Sequence, residues 1–205
     1  MFEKLKLNRL RKKAIKAIDQ NILKKQKSIE EISKILIDFK RYNYSKHNSF
    51  LNLCIFSDIV CIDLMLLLEK IRLANRSQEK KLYARFIAVT AVDYLDNISV
   101  LIGSECLKEL KNNKMDEFLD EFIAVHKKFS LFKTTNQVLL REIRNNTVAH
   151  KNKDALFLQE QIDNLDIEKI YNFGIELIDY SKEFVDLSTK IINYIIDYME
   201  KGRKI

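Results

Sequence analysis

The segment Arg144-Asn145-Asn146-Thr147-Val148-Ala149-His150 places an arginine and its neighbouring amide shortly before one of only three histidines in the chain. Histidine titrates near neutrality, so His150 is suited to take a proton from a hydroxyl or to return one to a leaving oxygen. Arg144 would neutralise charge building on a phosphorus centre, and Asn145 would orient the phosphate or the imidazole by hydrogen bonding. Arg141, Lys151 and Lys153 add positive charge for holding substrate, opposed nearby only by Glu142 and Asp154. Neither Arg141 nor Arg144 has a carboxylate three or four positions away on its own helix. Each must therefore find a counterion elsewhere or meet an incoming phosphate, whose oxygens match the guanidinium fork.

Helical geometry constrains the pair. Six residues on an unbroken helix put His150 about 120° around from Arg144 and roughly 9 Å along the axis. Either the helix ends or bends near 146–149, or Arg144 of one subunit works with His150 of another. His150 also extends the line of Leu139, Ile143 and Asn146, beside a packed surface. Asp93 and Asp96, on an otherwise apolar helix, either anchor Arg144 or His150 across the fold or lie exposed. A structural role is open to the same segment, because a histidine near a helix C-terminus complements the dipole and an Arg-Asn pair can satisfy the last carbonyls. His126 reads as a surface or groove residue, and His47 lies in a polar loop.

The elements that must position these groups are helices. Proline is absent and glycine occurs three times, where average usage gives roughly ten and fourteen. Strands need frequent turns, and turn clusters are sparse. The expected fold class is all-α, an up-and-down bundle of about seven helices with a long basic N-terminal helix. The first helix covers 3–44, with an interruption expected near Asn21 or Ser28 if there is one, and a loop follows over 42–49. A second covers 50–74. A third runs from Ser77 to about 102, where Gly103 ends it in a left-handed conformation. A fourth starts at Ser104 and is broken at 111–114, its remainder carrying Phe118, Phe122 and Val125 at helical spacing. Thr134 or Thr135 caps the helix bearing Arg144, and Asp154 and Asp166 are the next N-caps.

The chain reads as a single domain over 1–205, with 1–45 as a basic elaboration. Residues 1–27 hold ten Lys or Arg against Glu3 and Asp19, so this stretch carries a net +8 while the whole chain carries +7. Such a run is either a solvated helical face or an attraction to phosphate, a membrane surface or an acidic partner. Aromatic residues that would stack single-stranded bases are missing there beyond Phe2. Cys54, Cys61 and Cys106 form no CxxC pair and their odd number argues against a disulfide framework. No metal site is visible, no cofactor is implied, and a cytoplasmic location is expected. The 50–68 stretch is about long enough to span a bilayer. Asp58 and Asp63 oppose that reading, each costing roughly 2.5–3.5 kcal/mol at a membrane centre, so no membrane is expected.

The pattern Leu140-Arg141-x-Ile143-Arg144-Asn145-x-x-x-Ala149-His150 resembles the HEPN superfamily, helical nucleases whose hallmark is an arginine, commonly followed by Asn, Asp or His, and a histidine four to six positions later. The resemblance covers 77 to the C-terminus best. It implies a helical bundle, usually dimeric, with two motifs facing one cleft, and non-catalytic members also exist. Where a toxin subgroup carries a modifiable tyrosine three residues after the histidine, this chain has Lys153, so that form of control is not implied. With histidine serving the ribose 2′-hydroxyl, the expected activity is metal-independent endoribonuclease cleavage leaving 2′,3′-cyclic phosphate or 3′-phosphate ends. Expected partners are RNA, a second copy of the chain, and an antitoxin or regulatory protein. A bacterial stress or phage-defence role follows from the resemblance, and a non-enzymatic helical binding module is the competing reading.

Overall fold

The computed structural model describes residues 2–149 and 153–202. Among them are six helices and no strand: α1 (Phe2–Arg41), α2 (Asn48–Leu73), α3 (Ser77–Asn112), α4 (Leu119–Arg144), α5 (Ala155–Asp163) and α6 (Ile167–Gly202). The all-α expectation holds, with six helices in place of about seven.

The difference has two sources. Gly103 does not end a helix, since no glycine in the described chain has positive φ, and α3 passes through it as a π-helical turn, Leu101–Cys106. Ile98, Ile102, Cys106 and Leu110 are all buried. Their four-residue spacing would drift about 40° per step on an α-helix, and a local widening of the helix keeps them on one face. Burial on both sides outweighs the roughly 1 kcal/mol that glycine costs a helix. Likewise Thr134 and Thr135 start nothing. They lie inside α4, where the Thr134 hydroxyl donates to the Leu131 carbonyl, and the buried Phe129, Phe132, Leu140 and Ile143 carry the apolar stripe past them.

Other expected boundaries are present. α1 runs unbroken past Asn21 and Ser28. Asn113 ends α3 and Lys114 follows in the left-handed region at φ 58°. The Asp154 carboxylate accepts from the Leu156 and Phe157 amides, and the Asp166 carboxylate accepts from the Lys169 amide.

Cross-helix contacts define the topology. Lys25 meets Asp58, the Ser49 amide meets Glu109, Arg141 meets Asp96, and Phe118 meets Tyr194. Successive long helices are therefore antiparallel, and α6 returns against α2, α3 and α4. One core joins all five long helices, reaching α1 through Ile32 and Leu36. Between α4 and α6 the aromatic pairs Phe118–Tyr194, Phe122–Phe184 and Phe132–Phe173 meet edge to face, the arrangement that ring quadrupoles favour. Gly174 lets α6 approach α2, because a Cβ there would sit 3.0 Å from a Leu68 methyl.

All three cysteines are free and buried, and burial pushes their thiols up, away from the reactive thiolate form. Two helices, Asn48–Leu73 and Ser77–Asn112, are long and apolar enough to cross a membrane, where the sequence alone pointed to one. In this fold α2 lies packed among α1, α3 and α6.

Candidate phosphate-binding segment at the end of α4

The residues singled out by sequence lie where α4 changes character. After Arg144 the chain continues as a π-helical turn, Asn145–Ala149, covering all five positions between Arg144 and His150. Through 145–149 the helix therefore continues in widened form. Such turns are rare and concentrate at functional sites. His150 and Lys151 lie outside the described residues.

α3 supplies the counterions that α4 lacks. Arg144 Nη2 lies 3.5 Å from Asp93 Oδ1, with the arginine side chain about one third exposed at 36%. Its Nε is shielded from solvent and has no hydrogen-bond partner among the described residues. Arg141 Nη2 donates to both oxygens of Asp96, at 2.8 and 3.1 Å. Lys133 Nζ joins the same carboxylate at 2.9 Å. Burial works to raise the Asp96 carboxyl, but hydrogen bonds from Lys133 and Arg141, and their charge, leave it below its ordinary range. The two acids therefore anchor arginines across the bundle. Arg141 is closely neutralised. Among the described residues, Arg144 is held by one longer contact, and its Nε has no partner. Asn145 and Lys153 are exposed.

Arg85, on α3, is the residue that the sequence reading missed. Its Nη1 donates to the Thr147 carbonyl at 3.2 Å, a carbonyl near a helix end of the kind left without an intrahelical partner. Its Nε is also shielded and unpartnered among the described residues, and desolvation lowers its pKa. Thr147 is buried, and its hydroxyl donates to the Ile143 carbonyl at 2.6 Å. Arg85 thus ties α3 to the middle of the π turn. The signal was available: Arg85 has Lys81, Leu82, Ala88 and Val89 as its helical neighbours, so it too lacks a local counterion. Nearby, Lys81 pairs with Asp163 at 2.7 Å and holds α5 against α3.

The other two histidines are elsewhere. His126 is half-buried with its ring against Gly103, its Nε2 3.3 Å from the Ser130 hydroxyl. Burial lowers its pKa. His47 sits in the 42–47 loop as expected, yet it is buried at 5% exposure between the rings of Phe39 and Tyr44.

The arrangement of Arg144, Arg85 and the widened turn suits an anion with several oxygen acceptors. No family model, curated protein or solved structure matches this chain.

Proposed function

We propose that this chain is a metal-independent endoribonuclease of the HEPN type, with Arg144, Asn145 and His150 as its catalytic residues and Arg141, Lys151 and Lys153 holding substrate. One observation supports the reading: Arg144 opens a π-helical turn with, among the described residues, one guanidinium nitrogen unpartnered and a single 3.5 Å contact to Asp93. In the proposed reaction His150 takes the proton of a ribose 2′-hydroxyl, that oxygen attacks phosphorus, and the P–O bond to the 5′-oxygen breaks as the protonated imidazole returns the proton to that oxygen. The product is a 2′,3′-cyclic phosphate. Arg144 neutralises the charge that builds on the phosphorane. The proposal includes a homodimer, a cytoplasmic location and a role in bacterial stress or phage defence.

A second reading is favoured by Asp96, which already neutralises Arg141 and Lys133. In that reading the chain is a non-catalytic binding module that uses the exposed Arg11, Lys12, Lys13 and Lys16 of α1. RNA cleavage in EDTA separates the two. Under the nuclease reading His150→Ala and Arg144→Ala each lower the rate by about 10²–10⁴. Undiminished cleavage by the His150 variant, or no cleavage by wild type, overturns it.

A further inference from the structure

At the end of the bundle away from Arg144, the C-terminal turns of α1 and α6 and the start of α2 enclose a cleft of about 470 Å3. This is within the roughly 300–1,000 Å3 of small-ligand sites. Ile35, Phe39, Leu51, Ile192, Ile195 and Met199 form its walls. Asp38 lies at its edge, 3.6 Å from Arg41. A second, polar pocket of about 240 Å3 shares Tyr44 and Ile195 with the cleft and adds Lys46, His47 and Lys114.

We propose that the two together bind a single-chain anionic amphiphile of the fatty-acid class, its tail in the cleft and its carboxylate in the polar pocket.

Three observations point to this ligand. Lys46 and Lys114 come from separate loops and both line the polar pocket, which adjoins the apolar cleft at Tyr44 and Ile195. Neither has an acidic partner within 4 Å among the described residues, and Lys46 lies only over the Tyr44 ring, at 5.9 Å. The two loops are stitched together by the Asn113 amide, which donates to the Lys46 carbonyl, and both lysines line the same pocket. His47 lines that space as well, 5% exposed and in ring contact with Phe39 and Tyr44. An imidazole N–H beside the pocket is a donor that a carboxylate oxygen can accept from. Positive charge lining a polar pocket beside an apolar cleft is complementary to a chain with one charged terminus.

Calorimetric titration of the full chain with octanoate, decanoate and the uncharged 1-decanol tests this. Affinity should rise about fourfold per methylene from octanoate to decanoate. Decanoate should bind at least tenfold more tightly than 1-decanol. The double variant Lys46→Ala/Lys114→Ala, both at exposed or loop positions, should lose that tenfold preference while binding 1-decanol as wild type does. Absent binding at millimolar decanoate, equal affinity for acid and alcohol, or an unchanged preference in the double variant would each overturn the proposal. So would decanoate binding that disappears as the protein self-associates, which would assign the cleft to a second copy. RNA cleavage does not enter the readout.

Discussion

Lys25 Nζ and Asp58 Oδ1 lie 2.6 Å apart, joining α1 to α2 by an ion pair whose side chains are only 17% and 5% exposed. The pair explains how α2, apolar enough to cross a membrane, carries a carboxylate on a buried position. Its charge is answered from the basic N-terminal helix, which is thereby part of the bundle.

Breaking that pair should be costly and replacing it should not. Asp58→Asn and Lys25→Met should each lower the unfolding free energy by about 3 kcal/mol, because the remaining group stays without its partner. The apolar double variant Lys25→Met/Asp58→Leu should recover much of the loss. Urea denaturation of the four proteins checks this, and additive losses would contradict it.

Tyr94 is fully buried, and its hydroxyl lies 2.9 Å from Ser57 Oγ and 3.0 Å from Ser181 Oγ. Ser181 also donates to the Leu177 carbonyl, so Tyr94→Phe strands chiefly Ser57. The expected cost is about 1–2 kcal/mol, or a few degrees in melting temperature. Tyr94→Phe combined with Ser57→Ala should be less destabilised than the sum of the two.

His47 and Glu109 should oppose each other in the pH dependence of stability. Burial, aided by the Lys46 charge, lowers His47 from 6.5 to about 4. The unfolded chain then binds the extra proton, so this contribution is full above 6.5 and is lost as pH falls toward 4. Burial raises Glu109 from 4.5 to about 7, against the hydrogen bonds it accepts from Ser49 and Phe50. Here the folded chain keeps the extra proton, so the contribution is full below 4.5 and is lost as pH rises to 7. Thermal melts should find Glu109→Gln gaining stability from pH 4 to 6.5. His47→Phe should lose stability from pH 4.5 to 7, and the wild type should be flatter than either.

Arg85 should govern the π turn. Arg85→Ala removes the donor to the Thr147 carbonyl and should cost about 1–3 kcal/mol, the range for a hydrogen bond to a charged group. Amide hydrogen exchange across Asn145–Ala149 should quicken more than exchange in the α4–α6 core. Uniform protection would show that the turn stands without it.

The helical fold was legible because it follows from local quantities: absent proline, three glycines, and apolar residues at helical spacing. Capping at Asp154 and Asp166 was equally readable, since a carboxylate two or three residues before unpaired amides needs no distant partner. Gly103 and Thr134 misled for one reason. Local preference is worth about 1 kcal/mol, and the burial of side chains on both sides of them is worth more.

The candidate site divides the same way. Sequence by itself determined that Arg141 and Arg144 lack counterions on their own helix, and that Asp93 and Asp96 stand on an apolar one. Only the tertiary structure decided that these acids face those arginines, that Arg85 reaches the Thr147 carbonyl, and that Phe39 and Tyr44 enclose His47. The Arg141–Asp96 and Arg85–Thr147 pairings join residues 45 and 62 positions apart. No periodicity encodes them, because which helix faces which is settled by how the whole bundle packs.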